Sequence, residues 1–64
     1  MADVVVSNEG SLIGFQPLSD GAKDWIKENI PDDAPWLGAR FFAEPRYAQN
    51  IIDGMISAGL EVQE

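Results

Sequence analysis

Asp3-Val4-Val5-Val6-Ser7, Asn8-Glu9-Gly10 and Ser11-Leu12-Ile13-Gly14-Phe15-Gln16 read in succession as strand, loop and strand. Two runs of β-branched and apolar residues split by a short Gly-containing loop form the pattern of a β-hairpin. Gly10 supplies the positive-φ residue that a three-residue hairpin loop needs, because it has no Cβ to clash there. Pro17 lacks a backbone donor, so it closes the second strand or stands where that N–H is not needed.

Working outward, Ser19 is an N-cap candidate, and Asp20 behind it falls in a first helical turn, where the helix dipole favours negative charge. Ala22, Trp25, Ile26 and then Asn29 or Ile30 recur at helical spacing, giving one apolar stripe. Pro31 stops this helix. Pro31-Asp32-Asp33-Ala34-Pro35-Trp36-Leu37-Gly38 holds two Pro, one Gly and two adjacent acids, which predicts an exposed loop with a restricted backbone. Ala39-Arg40-Phe41-Phe42-Ala43 reads as a third strand from its aromatic content. Phe41 and Phe42 must face opposite sides of it, so one meets the helices and the other is exposed or covered by a partner.

Glu44-Pro45-Arg46-Tyr47 opens a second helix, with Pro acceptable in a first turn whose N–H has no intrahelical partner. Tyr47, Ala48, Ile51, Ile52, Met55 and Ile56 form its apolar face. Gly54 weakens this helix relative to Ala and marks a close approach, read here as one to the sheet. Gly59 stands at the C′ position, and Leu60 as C″ is placed to contact Met55 in a Schellman ending. The alternation of Leu60-Glu61-Val62 allows a short fourth strand at an edge. Two apolar helix stripes need one common surface, so the expected fold is α+β over residues 1–64: a single small domain, β-β-α-β-α, with a three-stranded, mainly antiparallel sheet and both helices on one face.

Composition excludes more functions than it suggests. Sixty-four residues with eleven acids, four Lys or Arg, no His and no Cys carry a formal charge of −7. Lys23, Lys27, Arg40 and Arg46 are the whole basic supply, too few to neutralise a run of phosphates, so direct nucleic-acid binding is not expected. An anionic membrane surface is disfavoured for the same reason. Met1 to Ser7 has no basic n-region, which predicts no signal peptide, and the lack of Cys suits a reducing bacterial cytoplasm. Without His or Cys, Ser7, Ser11, Ser19 and Ser57 have no partner to activate them, and the chain is too short to enclose a deep cleft around a carboxylate pair. The chain is therefore expected to be no enzyme. Asp32-Asp33 lacks the spaced acids of a calcium loop, so no metal and no cofactor are expected. Glu44 with Arg46 reads as a helix-start salt bridge.

The acids of the first helix carry the sharper reading. Asp20, Asp24 and Glu28 recur every four residues, which puts them on one face at roughly 6 Å axial intervals. Lys23 and Lys27 beside them suit an ordinary solvated helix face. Continued by Asp32 and Asp33, the row also imitates a line of phosphates and fits a cationic channel built for nucleic acid. Trp36, between Pro35 and Leu37, either anchors a protein interface or folds back onto the core.

Asn8-Glu9-Gly10-Ser11, Pro17-Leu18, the stretch from Trp25 through Trp36, and Glu44-Pro45-Arg46-Tyr47-Ala48 make the chain resemble short acidic proteins encoded in bacterial genomes, phages and mobile elements. The resemblance spans nearly the whole chain, implies a shared small α+β fold and transfers no functional residue. By size, acidity and lack of catalytic side chains the chain is also similar to phage-borne anti-CRISPR inhibitors, some of which imitate DNA. The expected function is thus a non-enzymatic, acidic protein-binding module, monomeric or homodimeric. It would block a partner's basic nucleic-acid-binding surface, a CRISPR surveillance complex being the most concrete case, through Asp20, Asp24, Glu28, Asp32, Asp33 and Trp36. The alternative is a small homodimeric interaction or accessory protein that binds through its open sheet face and whose acidity only keeps it soluble.

Overall fold

The structure, a computed structural model describing residues 2–64, begins with the expected hairpin, β1 (Val4–Asn8) antiparallel to β2 (Ile13–Pro17). Met1, part of the segment read for a leader, lies outside the described residues. Gly10 has φ +87°, and its N–H donates to the Asn8 side chain at 2.9 Å, which tightens the loop. Pro17 is the last residue of β2, as its missing donor demands.

α1 (Asp20–Asn29) starts where Ser19 accepts the Ala22 N–H at 3.1 Å and ends before Pro31. α2 (Pro45–Ser57) opens with Pro45 in its first turn. It ends in a Schellman motif: the Leu60 N–H donates to the Met55 carbonyl and the Gly59 N–H to that of Ile56, both at 3.0 Å. Gly59 has φ +88° there, a conformation that a Cβ would strain.

The sheet has five strands, not three, in the order β3-β4-β2-β1-β5, and it is mixed: mainly antiparallel as expected, with the single pairing of β1 and β5 parallel. One added strand, β3 (Trp36–Leu37), lies inside the segment expected to be loop and pairs antiparallel with β4 (Arg40–Ala43). Two residues are too few to show alternation in a sequence. The strand exists because the Gly38-Ala39 turn returns the chain and sets the Trp36 ring 5.4 Å from that of Phe41, while the Phe42 N–H donates to the Pro35 carbonyl at 3.0 Å. The other, β5 (Val62–Gln63), is the short edge strand that the tail allowed, and it runs parallel to β1. Asp3 holds it: the Asp3 and Val4 N–H groups donate to the Glu61 carbonyl at 2.8 and 3.2 Å, and the Glu61 N–H donates to Asp3 Oδ2 at 2.7 Å.

Pairing places Val4, Val6, Phe15 and Phe41 on one face of the sheet, where Ala22 and Ile26 of α1 and Ala48, Ile52 and Met55 of α2 complete a single core. Phe15 and Phe41 stack at 4.9 Å. Gly54 does mark a close approach, but to the other helix and not to the sheet: a Cβ there would lie 3.0 Å from the Trp25 indole. Among the described residues no helix is long and apolar enough to cross a membrane.

Candidate protein-binding surface

α1 buries Ala22 and Ile26, and Asp24 stands two residues from each, about 200° around the helix. Asp24 therefore points away from the core, with Asp20 and Glu28 one turn to either side, and all three are exposed. Lys23 and Lys27 form a separate stripe along one flank. Among the described residues the ion pairs are Arg40 with Glu9 at 3.2 Å and Arg46 with Glu44 at 3.0 Å, so the acids of α1 are left without a cation partner. The second of these is the helix-start pair expected from the sequence.

Past the helix, Pro31-Asp32-Asp33-Ala34 is a turn closed by the Ala34 N–H donating to the Pro31 carbonyl at 3.1 Å. Asp32 and Asp33 occupy its two corners and are exposed. Trp36 combines both readings of it: one side of the ring meets Phe41, yet the residue stays 45% exposed.

The six residues do not form one unbroken strip. Asp32 and Trp36 line a cleft of about 270 Å³ together with Lys23 and Lys27, on the lysine flank of α1, whereas Asp20, Asp24 and Glu28 run along its outer ridge. Trp36 is thus beside the acids without continuing their line.

Three further features escaped the sequence reading. The first is an apolar groove of about 540 Å³ between the turn after α1 and the start of α2, with Leu12, Tyr47 and Ile51 among its walls. Tyr47 and Ile51 read as core from helical spacing, yet Tyr47 is 52% exposed, because only one side of the stripe meets the sheet. The second is on the open sheet face, where the Arg40 guanidinium lies 5.3 Å from the centre of the Phe42 ring and donates to Ser7 Oγ at 3.3 Å and Glu9 Oε2 at 3.2 Å. Phe42 is the aromatic left over on β4, and this chain's own arginine covers it. The third is Asp3, whose carboxyl is held below its ordinary value of 3.8, first by the Glu61 N–H and then by the Ser19 hydroxyl.

Among the described residues no group of three or more His, Cys, Asp or Glu side chains is placed to hold a metal ion. No protein-family model, curated protein or solved structure matches the chain.

Proposed function

We propose that this chain is a non-enzymatic module that binds the basic nucleic-acid-binding surface of a partner protein complex and blocks it, in the cytoplasm of a bacterial host. A CRISPR surveillance complex is the most concrete such partner. The supporting observation is the ridge of α1: Asp20, Asp24 and Glu28 exposed, opposite the core and unpaired, with Asp32 and Asp33 exposed in the turn beyond. Asp20, Asp24 and Glu28 recur at roughly 6 Å along the helix axis, a regular line of negative charge like that of a phosphate backbone. A cationic channel would meet carboxylates where it expects phosphates, and the chain contains no His or Cys to do chemistry there. Such contacts are electrostatic, so affinity falls steeply with salt.

The test is a pull-down from bacterial lysate with tagged protein, washed at low and then high salt, run beside the triple variant Asp20→Asn, Asp24→Asn, Glu28→Gln. A nucleic-acid-binding complex that elutes with salt and is lost from the variant is the expected result. A partner indifferent to salt and retained by the variant overturns the reading.

One observation favours the alternative of a homodimeric accessory protein: β3 is an edge strand, and its Trp36 and Leu37 are 45% and 68% exposed. An open apolar edge is a pairing surface. Light scattering on Leu37→Lys separates the two readings, since a dimer built on this edge dissociates in that variant and a charge-driven inhibitor is unaffected.

A further inference from the structure

The chain's four cations divide into two kinds. Arg40 is paired with Glu9 and Arg46 with Glu44, whereas the side chains of Lys23 and Lys27 make no ion pair or hydrogen bond among the described residues. Both unpaired cations line the same place, the cleft of about 270 Å³ between α1 and β3. They stand one turn apart on the helix, roughly 6 Å along its axis. Ile26, Ile30 and Pro31 make the cleft apolar, and Trp36, held by Phe41 and still 45% exposed, supplies an aromatic wall. Asp32 is the single acid of the lining, so two ammoniums face one carboxylate on a chain whose net charge is −7. The groove beside α2 is opposite in sign, with Glu44 as its only charged lining residue. Each lysine can lay its apolar stem along the cleft and bring its ammonium to a bound anion.

We propose that this cleft binds a small aromatic monoanion, with its carboxylate between Lys23 and Lys27 and its ring against Trp36, Ile30 and Pro31. The lining selects that chemistry. A cationic ligand is repelled by both lysines, a neutral ring leaves them unused, and a dianion meets Asp32. A flat ring gains from the exposed indole face and the apolar lining together. At about 270 Å³ the cleft lies just under the roughly 300 Å³ at which sites for drug-sized ligands begin, so the occupant has one or two rings. The proposal does not depend on the ridge of α1, whose acids occupy a different stripe of the helix.

Amide-resolved NMR titration at low salt with indole-3-acetate, tryptamine and acetate tests charge and ring separately, since the first two carry the same ring with opposite charge. Indole-3-acetate is expected to shift the amides of Lys27, Ile30 and Asp32 and the indole N–H of Trp36. The indole N–H of Trp25, which packs beside Gly54 of the other helix, should stay in place. Its affinity should exceed that of tryptamine and of acetate by about tenfold, as two partly exposed ion contacts and one ring contact allow. The double variant Lys23→Gln, Lys27→Gln alters only exposed positions and should lose the preference over tryptamine. Asp32→Asn should tighten indole-3-acetate by about twofold. Equal binding of tryptamine to the native chain, or a preference that survives in the lysine variant, overturns the charge assignment. Equal binding of acetate overturns the role of the ring. No shift with indole-3-acetate up to about 10 mM, or cleft amides that shift with protein concentration alone, overturns the site itself.

Discussion

Phe41, on the helix side of the sheet, meets the ring of Phe15 at 4.9 Å and that of Trp36 at 5.4 Å, and is 1% exposed. Its chain neighbour Phe42 lies on the opposite face, outside the core, over Gly14 and beneath the Arg40 guanidinium. The two rings are chemically identical, and the pleat alone sends them to different fates. One side is held by apolar packing from two helices. The other is held by an arginine that also ties β4 to Ser7 and Glu9 of the hairpin. An aromatic left outside a core therefore does not by itself mark a docking face, because a small sheet can cover it with its own long cationic side chain.

The sharpest way to break this comparison is to truncate each ring in turn. Phe41→Ala should lose about 3–5 kcal/mol, which is the whole net stability expected of so small a core, and so be unfolded by near-ultraviolet circular dichroism. Phe42→Ala should lose about 1 kcal/mol in urea titration, from a half-buried ring and one cation–π contact. Similar losses at the two positions would mean that the open face contributes to folding as a second core.

Glycines sharpen the same contrast with a smaller effect. A Cβ on Gly14 would lie 2.9 Å from Ser7 Oγ and 3.1 Å from the Phe42 ring, so Gly14→Ala should cost about 1–3 kcal/mol by pushing that ring off the sheet. At Gly21, in the first turn of α1, the nearest atom would be 3.8 Å away, and Gly21→Ala should instead stabilise by up to about 1 kcal/mol through helix propensity. Denaturant midpoints of opposite sign are the expected pair of results. A neutral Gly14→Ala would show that Phe42 is not seated where the structure puts it.

The same two faces explain what could be read from the sequence. The hairpin, both helices, the Ser19 cap and the Gly59 ending were legible because each rests on a local rule: alternation, helical spacing, a cap hydroxyl or a left-handed glycine. β3 was not legible, since Trp36-Leu37 is paired through a turn and a ring contact that arise only once β4 is in place. Asp3 read as a strand residue and carries instead the bonds that dock β5, 58 positions away at Glu61. For the site, the exposure of Asp20, Asp24 and Glu28 followed from spacing alone. The position of Trp36 on the lysine flank depended on a tertiary crossing that no spacing encodes, and so did the groove beside Tyr47.

Asp3 tests the corner where β5 joins the sheet. Its carboxyl titrates below the ordinary value of 3.8 in the folded chain, so the charged form is bound preferentially by the native state. That contribution is fully present above the unfolded value and is lost as pH falls through the depressed one. Urea midpoints of the native chain and Asp3→Asn should therefore converge as pH drops below about 4, with the variant weaker at neutral pH and flatter on the acid side. Comparing the two chains cancels the general relief of repulsion that acid brings to every other carboxylate. Parallel curves would mean that the Glu61 contact does not depend on charge.

The smallest expected effect concerns the ridge of α1, which differs from the rest of the surface in having like charges one turn apart without a cation partner. Such pairs repel across roughly 6 Å, inside the Debye length of about 10 Å at 0.1 M salt, so screening should stabilise the fold. Raising salt from about 0.01 M to about 0.2 M should lift Tm by about 2–8 °C, given what like-charge pairs cost a helix and how a small domain's Tm responds. The variant Asp20→Asn, Asp24→Asn, Glu28→Gln should start with a higher Tm at low salt and show less than half of the native response. If the variant keeps the full response, the repulsion belongs to the −7 charge as a whole and the ridge is no special concentration of it. If the response follows the ridge, the molecule keeps a local strain that a cationic partner would relieve, and the same three carboxylates that weaken the free chain would strengthen its complex.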